Sequence, residues 1–181
     1  GGVDSALVAA VAHDVLGERA VALTAVSPTF PPEELAEAKK MARVHGMRHV
    51  LVDSQELERE GYASNDGNRC YFCKDELFDL ARDRAKLLDL QWVADGTILD
   101  DLGDHRPGLK AASEHAVRHP LVEAGIGKST VRALAKQMDL TVWDKPSFAC
   151  LGSRFADGIR VTSERVNQVM KVESHLRTIG I

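Results

Sequence analysis

Apolar positions along this chain switch repeatedly between helical and strand spacing. Leu7, Val8, Val11 and Val15 mark one face of a helix running from Ala6 to Leu16, which Gly17 is placed to end. Val21 to Val26 is a short β-like run closed by Ser27, Pro28, Pro31 and Pro32. A second helix is predicted from about Glu33 to His45, with Leu35, Ala38, Met41 and Ala42 inward and Gly46 as its stop. His49 to Val52 is the next strand candidate. A third helix is predicted to follow Cys73 and to carry Leu77, Phe78, Ala81 and Leu88, and Leu90 to Ala94 reads as another strand. Further helices are expected near Leu109 to His115, near Thr130 to Met138, and through Val166, Val169, Met170, Val172 and Leu176. This alternation predicts an α/β fold with a mainly parallel sheet and flanking helices.

The first of these helices is preceded by Gly1-Gly2-Val3-Asp4-Ser5. Glycines let the backbone approach an anion, and the first N–H groups of a helix lack intrahelical partners, so the turn reads as a phosphate site. Ser5 can add a hydroxyl donor, and Asp4 can hold a metal ion that bridges phosphates. A plain helix-capping turn is the alternative. Ligands of open α/β sheets bind outside the carboxyl ends of strands, which adds the segments after Val26 and Ala94 to the candidate site. A second glycine-rich stretch, Gly125-Ile126-Gly127-Lys128-Ser129-Thr130, ends like a Walker A loop but has Val122 where the first glycine belongs. Ser129 or Thr130 is read there as an N-cap.

At 181 residues, with 44% hydrophobic and 28% charged residues, the chain has the makeup of a soluble globular protein of one domain, or one domain and part of a second. No apolar run reaches the roughly 20 residues of a membrane span, and no signal peptide stands before the first turn, so a cytoplasmic location is expected. The formal charge of −4 offers no electrostatic footprint for nucleic acid and disfavours such a partner.

Cys70, Cys73 and Cys150 are the three cysteines, an odd number that argues against a disulfide framework. Cys70-Tyr71-Phe72-Cys73 is a CxxC pair beside Arg69 and Lys74, cations expected to lower the thiol pKa values. Zinc is the commonest reading of such a pair, but a closed site needs a fourth ligand and no histidine has finger-like spacing. Three thiolates also suit a [4Fe–4S] cluster with one iron open, and burial as small apolar residues is the third possibility. Cys150 lies between Lys145 and Arg154, a setting expected to favour a thiolate.

The Gly1-to-Ser5 turn, Arg69 to Lys74, Asp95-Gly96-Thr97 through Asp100-Asp101-Leu102-Gly103-Asp104 to Arg106-Pro107-Gly108, and Trp143-Asp144-Lys145-Pro146 through Cys150 to Arg154 occur in one order over nearly the whole chain. Together these blocks resemble the LarE-type sulfur transferases of the PP-loop ATP pyrophosphatase superfamily. The resemblance implies a Rossmann-like PP-loop domain over residues 1–145, its first strand and a leading serine lying ahead of Gly1. It implies that residues 146–181 hold the cysteine-bearing segment and the start of a C-terminal substrate region.

It further implies an ATP-dependent enzyme that builds the nickel-pincer nucleotide cofactor of lactate racemase. A carboxylate of a pyridinium-3,5-dicarboxylate mononucleotide is adenylylated with loss of pyrophosphate, and sulfur then displaces the adenylate. On this resemblance Gly1, Gly2, Asp4 and Ser5 bind the ATP phosphates, with Asp4 near Mg²⁺. Thr24, Ala25, Val26 and Ser27 border the adenine, and Asp95, Gly96 and Thr97 lie beside the nucleotide. Arg106 and Arg154 are candidates for anionic groups of a small nucleotide substrate, and a homo-oligomer is expected. Cys150 matches the cysteine that gives up its own sulfur in one form of the family; with Cys70 and Cys73 also present, the chain resembles members holding a [4Fe–4S] cluster on all three. Cys150 and Asp4 are therefore the expected catalytic pair. A PP-loop tRNA thiolase and a noncatalytic zinc-stabilised adenine-nucleotide sensor are the competing readings.

Overall fold

A computed structural model describes residues 2–103 and 107–180. Helix α1 (Val3–Leu16) leads into strand β1 (Ala22–Val26), helix α2 (Pro32–Val44) and strand β2 (His49–Asp53). β1 and β2 pair in parallel from Ala22 opposite His49 to Val26 opposite Asp53, with α2 as the crossover. Short α3 (Glu60–Ala63) precedes α4 (Arg69–Leu87), followed by α5 (Pro107–Glu114), α6 (Pro120–Glu123), α7 (Lys128–Gln137) and α8 (Ser163–Thr178). The chain is thus mixed α/β, mostly helical, with a small parallel sheet.

Several expectations change in detail. The mainly parallel sheet reduces to this strand pair among the described residues. Leu90 to Ala94 does not form a strand: it contributes one parallel bridge, Ala94 to Arg118, and a cavity of about 340 Å³ lies between it and β1. A strand needs ladder partners, and this segment has only the few groups around Arg118.

α1 begins at Val3, so Asp4 and Ser5 lie in its first turn. Its buried stripe is Val3, Ala6, Leu7 and Ala10, whereas Val11 is 43% and Val15 73% exposed. Small alanines win the inward face because α7 packs there through Val131 and Ala135, and close helix approach favours small side chains. α4 starts before the CxxC pair rather than after it, placing Cys70 and Cys73 at i and i+3 on one helix face. Val172 on α8 points outward at 58% exposure, while Val166 is fully buried.

Three apolar clusters organise the molecule. The largest joins α1, α2 and α7 with Met47, Ile98, Leu121, Leu140 and Val142. A second packs Tyr62 of α3 with Leu151, Val161 and Val166, bringing the Cys150 turn and α8 back onto the region before α4. The third holds Phe78 of α4 against Ala111, Ala112 and Val117.

Candidate active site

The site is built around the start of α1. Gly2 is its N-cap, with extended backbone and no side-chain cap, and the first intrahelical bond runs from the Ala6 N–H to the Gly2 carbonyl at 3.1 Å. The N–H groups of Val3, Asp4 and Ser5 precede that bond, in the pattern that receives an anion at a helix start. The Ser5 hydroxyl donates to the Gly2 carbonyl at 3.1 Å.

Against this turn lies Asp95-Gly96-Thr97. A Cβ on Gly96 would stand 2.5 Å from the Ser5 nitrogen and 2.8 Å from the Asp4 carbonyl carbon, so only glycine lets the two backbones meet. Asp95 receives the Thr97 N–H at 3.0 Å, His119 Nδ1 lies 2.7 Å from its carboxylate, and Lys74 Nζ stands 3.9 Å away. Burial alone would raise the Asp95 pKa, but Lys74, the Thr97 N–H and His119 outweigh it and hold the carboxyl below its ordinary range.

Gly2, Asp4, Ser5, Asp95, Gly96, Thr97 and Asp101 line one cavity of about 510 Å³ together with Cys70 and Lys74. Its neighbour, the cavity beside β1, shares Ser5, Asp95 and Gly96 and extends to Thr24. The structure therefore brings the predicted phosphate residues and Cys70 together, and connects them to the segment expected to border adenine. Thr24 itself bonds His49 Nε2 at 2.9 Å, and the Ser27 hydroxyl bonds that of Thr29 at 2.9 Å; Ala25 and Val26 lie within β1. Gly1 and Arg106 lie outside the described residues.

One residue set aside in the sequence enters this site. Lys128, in the Walker-like stretch, places Nζ 2.9 and 2.7 Å from the two Asp4 carboxylate oxygens. Its N–H donates to Asp100 Oδ2 at 2.9 Å, so α7 is capped by Gly127 and an aspartate from another loop, not by Ser129 or Thr130. The lysine after two glycines was the available signal. His119 carried none, being an isolated histidine whose role depends on the Asp95 loop.

The thiols occupy the other side. Cys70 is exposed; Cys73 and Cys150 are partly buried. Burial pushes the Cys73 thiol up to about 12, reinforced by Glu56 and Cys150, which reverses the expected cationic lowering. The cations are engaged elsewhere: Arg69 donates to Asn65 Oδ1 at 2.5 Å and to the Gly152 carbonyl at 2.6 Å, and Lys74 also lies over the Phe78 ring. The two charges flanking Cys150 are likewise taken. Lys145 bonds Glu34 at 2.8 Å and also Glu37, and Arg154 pairs with Glu173 at 2.5 Å and stacks on Phe148.

Among the described residues, one group of His, Cys, Asp and Glu side chains brings its ligand atoms all within 4.8 Å of one another: Asp75, Asp79 and His115. Arg59 already bonds Asp75 at 2.5 Å and Asp79 at 3.2 Å, so this is an ion-pair network on α4. The three thiols form no comparable group. A single zinc ion would need them that close, whereas a cluster holds each thiolate on its own iron.

The comparisons with known proteins agree with these blocks. No family model matches the chain. It is 48% identical to the uncharacterized protein slr1717 of Synechocystis over 180 residues, covering 99% of this chain and 67% of that protein. It is 36% identical over 181 residues to the pyridinium-3,5-bisthiocarboxylic acid mononucleotide synthase of Lactiplantibacillus plantarum, covering 99% of this chain and 66% of the synthase. The chain belongs to the LarE-type family of such synthases. It spans about two thirds of the length of these relatives. A partial match, 31% identity over 107 residues, reaches the glutamine-hydrolyzing GMP synthase of Chlamydia muridarum, covering 56% of this chain and 20% of that enzyme. Among the described residues, no helix is long and apolar enough to cross a membrane. In this LarE-type chain one cavity joins Asp4 to Cys70.

Proposed function

We propose that the protein uses ATP to activate a carboxylate of a pyridinium-dicarboxylate mononucleotide and then replaces the adenylate with sulfur, which would lead to the bisthiocarboxylic acid mononucleotide that its Lactiplantibacillus relative is named for. The observation that carries this reading is the shared cavity: Gly2, Asp4, Ser5 and Asp95 to Thr97 line it with Cys70. Nucleotide activation and sulfur delivery must meet at one acyl carbon, and the nearness of Cys70 to the α1 turn supports this reading.

A carboxylate is a poor acyl electrophile until one oxygen becomes part of a leaving group. Attack of the substrate carboxylate on the α-phosphorus of ATP expels pyrophosphate, and the open N–H groups at the α1 start would receive its developing charge. Lys128 is positioned to follow, since its ammonium already faces this turn through Asp4. Mg²⁺ fits here through the Asp4 carboxylate, because that ion is commonly held by one or two carboxylates plus phosphate oxygens. A sulfur nucleophile then attacks the acyl carbon and AMP leaves. Cys70, Cys73 and Cys150 would hold a [4Fe–4S] cluster. Held by three thiolates, such a cluster would offer one iron able to carry exchangeable sulfide. Residues 1–145 would form the ATP-using domain, with Cys150 delivered by the segment that follows. Arg154 would serve an anionic substrate group after exchanging its Glu173 partner.

Pyrophosphate release by the anaerobically reconstituted protein tests this reading. Release is expected to require the dicarboxylate nucleotide and to fall at least tenfold in Asp4→Ala. Cys150→Ala is expected to release pyrophosphate without forming thiocarboxylate. Release indifferent to the dicarboxylate would defeat the assignment.

A further inference from the structure

Next to Cys150 stands one buried polar atom with nothing to bond. Tyr62 is fully buried, its ring packed with Leu151, Val161 and Val166, and its hydroxyl has no hydrogen-bond partner. A buried, unpaired hydroxyl is costly, and phenylalanine would fill the same space without that cost. Its polar neighbour is the Thr29 hydroxyl, which donates to Glu56 at 2.6 Å and makes no hydrogen bond of ordinary geometry with the phenol; the Ser54 hydroxyl bonds both Glu56 and Glu76.

What the hydroxyl faces is the Cys150 turn. A Cβ on Gly152 would stand 2.5 Å from Tyr62 Oη and 3.5 Å from Cys150 Sγ, so the absence of that atom leaves the space between oxygen and sulfur open. Arg69, bonded to the Gly152 carbonyl at 2.6 Å, fixes the turn in place. Cys73 packs against the same apolar cluster. At neutral pH a phenol is a hydrogen-bond donor, and a thiolate or sulfide is an acceptor with no donor of its own in this pocket.

We propose that Tyr62 is a positioning residue whose hydroxyl donates a hydrogen bond to the sulfur held at Cys150, fixing its direction. This inference rests on Cys150 as the sulfur-bearing residue. No covalent step involves the tyrosine: it keeps its proton and orients an atom that reacts elsewhere.

Tyr62→Phe removes one oxygen and retains the ring. In reduced, metal-free protein at fixed neutral pH, alkylation of Cys150 by iodoacetamide, located by peptide mass spectrometry, is expected to slow about three- to tenfold, since loss of a donor to a charged sulfur lowers the thiolate fraction more than it raises intrinsic nucleophilicity. Alkylation of exposed Cys70 should stay unchanged, and the thermal midpoint should not fall. In the cluster-loaded protein the same substitution is expected to move the reduction potential to a more negative value, because hydrogen bonds to ligating sulfur help set it. A Cys150 rate within twofold of the parent, together with an unmoved potential, overturns the proposal. Neither readout uses the sulfur-containing product, so a negative pyrophosphate assay would count against the proposed function and leave this test standing.

Discussion

The α1 turn and the thiol-bearing region are built on opposite principles. On the α1 side every charged group has its counterpart: Asp4 has Lys128, and Asp95 has Thr97, His119 and Lys74. On the thiol side burial dominates, the Cys73 thiol is pushed upward, and the Tyr62 hydroxyl lacks a partner. A site for a highly charged ligand can be prepared in advance from backbone and paired side chains. On the proposed function, a site for sulfur would be assembled from groups whose demands remain unmet until sulfur arrives.

The sharpest way to break the prepared side is Gly96→Ala. Its methyl would meet main-chain atoms at 2.5 and 2.8 Å, which cannot rotate away, so unfolding free energy should drop by about 3 kcal/mol. ATP affinity should fall with it, as followed by denaturant titration and calorimetry. Asp95→Asn probes the same side through charge and should cost about 2 kcal/mol at pH 6. Because the folded carboxyl lies below its ordinary range, its contribution is fully present above the unfolded pKa of about 3.9 and is lost as pH falls through the lower folded value. The difference in melting temperature between parent and Asp95→Asn should therefore shrink below about pH 4. A difference that persists undiminished down to pH 2 would refute the pairing described for Asp95.

In the thiol-bearing region the comparison predicts unequal reactivity. With its pKa pushed up to about 12, Cys73 should be alkylated at least tenfold more slowly than exposed Cys70 in metal-free protein at pH 8. Equal rates would mean that the two regions differ less than the geometry indicates. The smallest effect belongs to Asp4 and Lys128. Both are partly exposed, so a double-mutant cycle of Asp4→Asn with Lys128→Met should give a coupling of only about 0.5 kcal/mol in the absence of nucleotide.

Much of this was legible from spacing. The crossover through α2, the two paired strands and helices α4, α5, α7 and α8 follow from periodicity and stop signals, whereas short α6 gave no such pattern. Leu90 to Ala94 misled because β composition describes a segment's suitability for a sheet, while the sheet itself requires neighbours. Val11 and Val15 misled because their greater hydrophobicity masked a stripe of alanines suited to close packing. Lys128 escaped because its meeting with Asp4 spans 124 positions. Tyr62 escaped for a different reason: being unpaired is a property of surroundings and has no signature in residue order.

The Arg69 guanidinium, which joins the start of α4 to the Gly152 carbonyl 83 positions away, gives these segments a shared mechanical fate. One arm of the CxxC helix and the turn bearing Cys150 are riveted before any sulfur chemistry begins, so a force applied at one is felt at the other. On the proposed function, loading and discharge of sulfur would be small adjustments within this frame, and an oxidant prising Cys150 outward would first have to break a charged bond that is not attached to sulfur at all.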